Sequence, residues 1–267
     1  MLIMLKDQAG AAGESIIAGT RAAGMGGVAV VFQDLWSGSN NPAGLAFVKG
    51  TQAGLWVENR FLLQELQTGG VIIATNFRAG TFALHTSHFG LLDYGELTAG
   101  LSYGRLLGRS FAAGVRIGVL TFHTLQGYGS KTLPLGALGF QFRAHKRWVL
   151  GLLIENPVPV KVSAETGEVL PLLIKTGIGG SLNDHFRIMT EVEKGIDRPF
   201  ILRAGLEYLI AGKLAVRLGY VSKPGTVTAG TSILMARWEV GISAGFHPVL
   251  GWTPGVSVQW IVRSSKK

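Results

Sequence analysis

The side chains able to do acid–base or metal chemistry are scattered along this chain. His85, His88, His123, His145, His185 and His247 form no cluster. His85 and His88 are three apart, an odd spacing that places them on opposite faces of a strand and unfits them for a shared metal. Cysteine is absent, which removes thiolate ligands and disulfides and fits an envelope protein that does without them. No phosphate loop or helical His-Glu-x-x-His is present. No catalytic residue, metal site or cofactor is therefore expected. Two charge pairs remain, Arg203 with Glu207 and Arg187 with Glu191, each four apart and so on one strand face. A structural salt bridge is the simpler role for both than proton transfer.

These charges belong to elements that alternate. From Thr51 onward apolar residues recur with period two, punctuated by Gly, Pro, Asn and Asp. Leu97, Ala99, Leu101 and Tyr103 share one face, with Thr98, Gly100, Ser102 and Gly104 on the other. Phe111, Val115, Ile117 and Val119 oppose Ala112, Gly114, Arg116 and Gly118, and Leu214, Val216, Leu218 and Tyr220 oppose Lys213, Ala215, Arg217 and Gly219. Turns are expected at Arg78-Ala79-Gly80, Leu107-Gly108-Arg109, Gly127 to Ser130, His145-Lys146-Arg147, Asn183-Asp184, Ala211-Gly212 and Lys223-Pro224-Gly225. The stretch 156–170 is irregular and reads as an exposed loop. Continued to the end, the pattern gives about 14 strands, an even number suited to an antiparallel barrel.

Composition narrows the class. The chain has 267 residues, 39 of them glycine, with 47% hydrophobic and only 15% charged. No run approaches the ~20 apolar residues of a spanning helix, so the apolar content is dispersed as strands disperse it. The net charge of +9 would suggest acidic partners in a soluble protein. Here the basic residues alternate with apolar ones instead of lining a helix, which argues against nucleic acid. A sheet of this size turns its apolar face either into a sandwich or to lipid. The lipid arrangement leaves Arg116, Arg143, Lys175, Arg187, Arg203, Glu207, Arg217, Arg237 and Glu239 in a polar lumen, and makes Trp148, Tyr208, Tyr220, Trp238 and Trp260 girdle candidates.

The stretch 17–50 has a different chemistry. It carries Arg21, Gly24, Met25, Gly26 and Gly27, an acidic-aromatic segment with Asp34 and Trp36, and then Asn40, Asn41, Pro42, Ala43 and Gly44. The glycines allow positive φ and close backbone contact, and Pro42 fixes φ, so the segment can fold tightly in a confined space; taken alone, the same clusters also mark turns in a globular domain. This pattern resembles the N-terminal plug of FadL-type outer-membrane barrels, a group that includes the PorV/PorQ proteins of type IX secretion. The segment 247–254, His-Pro-Val-Leu-Gly-Trp-Thr-Pro, is similar to the turn before the final strand in the PorV branch.

The resemblance implies an all-β fold: a transmembrane antiparallel β-barrel of about 14 strands with an N-terminal plug in the lumen. Its divisions are a clipped signal at 1–16, the plug at 17–50, the barrel at 51–263 and a basic tail at 264–267. The apolar opening Met1 to Leu5 is interrupted by Lys6 and Asp7, and a start upstream is favoured over a protein that is not exported. The expected location is the cell outer membrane, with outer-membrane lipids as surroundings. Two functions follow from the resemblance. One is an accessory scaffold of a larger secretion or outer-membrane assembly complex, as in the PorV/PorQ branch. The other is a FadL-like passive transporter of long-chain fatty acids or another hydrophobic ligand, in which cargo leaves through a wall opening at a kinked strand. The short connections, roughly five residues each on this reading, favour the scaffold.

Overall fold

A computed structural model describes residues 16–91, 94–124, 130–162, 169–196 and 199–262. Fourteen strands carry the fold. They are β1 Thr51–Asn59, β2 Gln67–Phe77, β3 Gly80–Leu91, β4 Tyr94–Leu107, β5 Phe111–Thr124, β6 Ser130–His145 and β7 Trp148–Glu155. Then come β8 Leu173–Ser181, β9 Phe186–Gly195, β10 Ile201–Ile210, β11 Leu214–Val221, β12 Thr226–Leu234, β13 Trp238–His247 and β14 Gly251–Val262. Each pairs antiparallel with its neighbours in sequence, and β1 closes on β14. Closure leaves no strand edge unpaired, the condition for a sheet to stand in hydrocarbon.

The period-two pattern decides which face is which. Outward positions are large, apolar and exposed: Leu84, Ile117 and Leu218 among many. Inward positions are small or polar and buried: Ala83, Ser102, Gln141, Glu191 and Arg217. This is the inverse of a soluble sheet and marks a transmembrane barrel. Most strands reach or exceed the ~9–11 residues that a tilted strand needs to span.

Connections at the end where β1 begins and β14 finishes are short, covering residues 78–79, 108–110, 146–147, 182–185, 211–213 and 235–237. The longest, 156–172, lies at the opposite end. Outer-membrane barrels keep short turns in the periplasm and longer loops outside, which makes the first end periplasmic and the second external.

Three expectations from the sequence change. The stretch 156–170 is not wholly exposed: Leu170 is buried against inward-facing Leu120 and Leu133, with Val160 and Val162 packed alongside. Its Leu170 N–H bonds Val160 O at 2.8 Å, so its apolar residues cover the lumen although its prolines read as a surface loop. The turn before the last strand is only 248–250, because Trp252, Thr253 and Pro254 already pair with β13. Pro254 is tolerated there because the ladder with β1 stops at Gly255. Arg237 sits exposed in the β12–β13 turn, one residue before β13, and does not face the lumen. The clipped-signal reading of 1–15, the turn at residues 127–129 and the tail from Arg263 lie outside the described residues.

Candidate functional site: the filled lumen

Residues 16–50 run through the lumen as a compact unit held by its own hydrogen bonds. A short helix α1, Thr20–Ala23, opens it, and two 3-10 turns follow at Leu35–Gly38 and Pro42–Phe47. Asn40 clasps the start: its Oδ1 accepts Ala18 N–H at 3.0 Å and its Nδ2 donates to Ala18 O at 3.1 Å. Asn41 Oδ1 caps the second turn by accepting Ala43 N–H at 3.2 Å, and its Nδ2 donates to Val30 O at 2.6 Å. Pro42, which lacks an N–H, occupies the first position of that turn, where no donor is needed. Met25, Val28, Leu35, Trp36, Ala43 and Leu45 are buried, so this segment has an apolar core of its own against the wall.

The wall is shaped to receive it. Inward glycines form sockets: a Cβ on Gly219 would collide with Gly26, one on Gly114 with Pro42, and one on Gly205 would stand 2.7 Å from Met25 Cβ. The fit is reciprocal at Gly26, whose φ of 69° suits glycine and whose Cβ would stand 2.7 Å from Tyr220 O. Gly24 lies against Gly230, and Gly27 against Ile17 and Arg203; a Cβ on Gly44 would meet Phe32 O and Ser37. The sequence showed these glycines but not which pairs meet, because register is a tertiary property.

Charged groups lock the two parts together. Arg21 makes a two-pronged contact with Glu207, Nε to Oε2 at 3.0 Å and Nη2 to Oε1 at 2.9 Å, and reaches Asp34 Oδ2 at 3.1 Å. Its guanidinium also lies over the Phe32 ring, 4.4 Å from the centroid. Glu207 is held as well by Arg187 at 2.9 Å and Arg217 at 2.7 Å, and Arg217 extends to Glu239 at 3.3 Å. On the other side, Glu191 Oε2 accepts the N–H groups of Ala29 and Val30 at 2.8 and 2.9 Å. Arg203 bridges Glu191 and Glu193, Lys175 bridges Glu193 and Glu155, and Arg116 contacts Glu155 and the Ser39 carbonyl. Arg143 lies at the periplasmic mouth, over the Phe47 ring at 3.9 Å and bonded to Gln33 at 3.1 Å.

Within this network burial pushes the Asp34 carboxyl up, against the pull of Arg21. Burial would lower Arg21, but Glu207 and Asp34 hold it above its ordinary value.

The partners differ from those expected along single strands. Residues four apart on a strand are ~13 Å apart, too far to bond. Glu207 instead meets Arg187 and Arg217, its direct cross-strand neighbours, and Arg203 meets Glu191 across the β9–β10 ladder. Asp34 is held by Arg21 of its own segment.

One space remains. A cavity of about 80 Å³ lies between Ile16, Ala18 and Ser39 of the inner segment and Trp56, His85, Leu120, Leu135 and Leu173 of the wall, with Glu96, Arg116 and Glu155 at its polar side. On its external side stands the apolar cluster of Leu120, Leu133 and Leu170, flanked by Phe122 and Leu135. Sequence reasoning missed this patch. Its signal was present in Leu120, Phe122, Leu133 and Leu135, four apolar residues at inward positions of strands whose other inward residues are small or polar. The cavity thus lies between this buried apolar cluster and the charge-locked part of the lumen. Among the described residues no group of three or more His, Asp or Glu side chains is placed to hold a metal.

Architecture and face pattern together define a transmembrane β-barrel whose lumen holds residues 16–50, and its place is the outer membrane. No protein-family model and no curated protein matches the chain. Solved structures do. The toluene transporter TbuX of Ralstonia pickettii superposes with a TM-score of 0.71 at 10% identity, covering 94% of this chain and 100% of that one. The CymD monoaromatic hydrocarbon channel gives 0.68 at 13% identity, covering 94% and 99%. A FadL homologue of Pseudomonas aeruginosa gives 0.67 at 11% identity, covering 91% and 98%. The chain has the FadL-type fold.

Proposed function

We propose that this barrel admits hydrophobic small molecules, long-chain fatty acids or compact hydrocarbons, through the outer membrane. The observation that carries the reading is the apolar patch inside the lumen, where a polar wall would be expected, next to the cavity behind it. An aqueous pore gains nothing from Leu120, Phe122 and Leu133 facing inward, whereas an apolar solute gains roughly 25 cal/mol for each Å² it removes from water there. The names of the similar structures, a toluene transporter and a monoaromatic hydrocarbon channel, lend support. The cavity is smaller than the ~150 Å³ that accommodates benzene. Passage therefore requires the inner segment to shift at Ile16 to Ala18.

The test is uptake by intact cells of a host deficient in fatty-acid and hydrocarbon uptake, with and without the full chain. Faster entry of labelled oleate or toluene supports the reading. Unchanged entry of both, with the barrel present in the membrane, refutes it.

A second reading, an accessory scaffold of a secretion or outer-membrane assembly complex as in the PorV/PorQ branch, draws on the wall itself. Both ladders of β3 keep one register throughout, so no lateral exit opens at a kink there among the described residues. Stoichiometric recovery of a large membrane protein after gentle solubilisation, together with unchanged uptake, would favour the scaffold.

A further inference from the structure

The six periplasmic turns carry Arg78, Arg109, Lys146, Arg147, Lys213 and Arg237, against Asp184 as their one acid. Arg147 approaches Asp184 at 3.8 Å. The other five make no ion pair within the chain among the described residues. The external connections are balanced by sequence, with Arg60, Lys161, Arg198 and Lys223 against Glu65, Asp93, Glu165, Glu168 and Asp197. The excess charge thus sits at one end.

Two further features say what it faces. The charges are spread over five of the six turns and so surround the barrel, whereas a docked protein would need them gathered on one side. Just inside them, outward aromatics form a belt: Phe82 packs with Tyr103 at 4.7 Å and Trp238 with Trp260 at 6.3 Å between ring centroids, and Phe142 and Tyr208 stand exposed at the same level. Such a belt marks the headgroup level of a bilayer. Cations immediately beyond it stand among lipid phosphates, where each favours anionic lipid over zwitterionic lipid.

We propose that this basic ring binds the headgroups of anionic phospholipids in the inner leaflet and so selects the lipid around the barrel. The inference is independent of what passes through the lumen. It requires only that the barrel spans the membrane with its short turns inward.

The full chain, reconstituted in phosphatidylcholine bilayers, is probed with spin-labelled phosphatidylglycerol and spin-labelled phosphatidylcholine, and the immobilised fraction of each is read by electron paramagnetic resonance. The expected result is a preference for phosphatidylglycerol of at least about twofold, reduced by salt near 0.5 M. It falls toward one in the variant carrying Arg78→Gln, Arg109→Gln, Lys146→Gln, Arg147→Gln, Lys213→Gln and Arg237→Gln. A control with Lys131→Gln, Lys161→Gln and Lys223→Gln at the external end retains it. Equal immobilisation of the two lipids by the wild-type barrel overturns the proposal. So does a preference that survives in the six-substitution variant, or a ring that ignores lipid and instead captures soluble polyglutamate. If the six-substitution variant fails to insert, loss of the wild-type preference in salt still supports the proposal, and a salt-insensitive preference still overturns it.

Discussion

Replacing Arg21 by methionine removes the one side chain that ties the inner segment to Glu207 and Asp34 together. Methionine keeps much of the volume and the contact with Phe32 but leaves Asp34 buried without its cation. Breaking one partner out of a buried ion pair costs ~3–5 kcal/mol. Glu207 keeps Arg187 and Arg217, so the lower end applies, about 3 kcal/mol, or roughly 10²-fold in the population in which the segment has let go. Hydrogen exchange reads that population directly through the amides of Ala29 and Val30, which Glu191 holds inside the lumen. Their exchange in Arg21→Met should accelerate by about 10²-fold while the amides of β4 and β5 stay unchanged. Acceleration under about threefold would refute the idea that Arg21 is the latch. Equal acceleration of the wall strands would show that the charge holds the barrel and not the segment.

Other perturbations test neighbouring parts. Gly219→Val places a side chain where Gly26 now lies; it should leave a folded barrel but raise leakage of small solutes in liposome swelling. Deleting residues 19–43 should raise the same leakage further, and unchanged permeability would mean that the segment does not obstruct the lumen. Leu133→Asn, within the apolar patch, should slow uptake of hydrophobic cargo while leaving swelling rates for sugars unaltered. Ile117→Arg faces outward in the middle of β5 and should destabilise the inserted barrel by about 2–4 kcal/mol in denaturant titration.

Much of this architecture was legible because a strand's period is two. Parity alone placed Arg116, Lys175, Arg187, Arg203, Glu207, Arg217 and Glu239 on the inward face, and the turn residues at Arg78-Ala79 and Lys146-Arg147 set the strand boundaries. Arg237 shows the limit, since parity is meaningless once the backbone turns. The partners of Glu207 were not legible, because a ladder's register depends on both strands and on closure of the whole sheet. Nor was the burial of Leu170 or the seating of Gly26 against Gly219. Both depend on residues distant in sequence meeting inside a closed wall, and composition in a proline-bearing loop points the other way. The apolar patch was present as an exception to the inward pattern at Leu120 and Leu133, visible once the strand faces are known.

Entry of apolar molecules into the lumen is tested by a diazirine-bearing alkyl probe, photolysed with the purified full chain and mapped by mass spectrometry. The expected result is labelling of inward residues around Trp56, Leu120, Leu133 and Leu135, suppressed by excess unlabelled oleate. Labelling confined to outward residues such as Ile117 and Leu138, and insensitive to oleate, would contradict it.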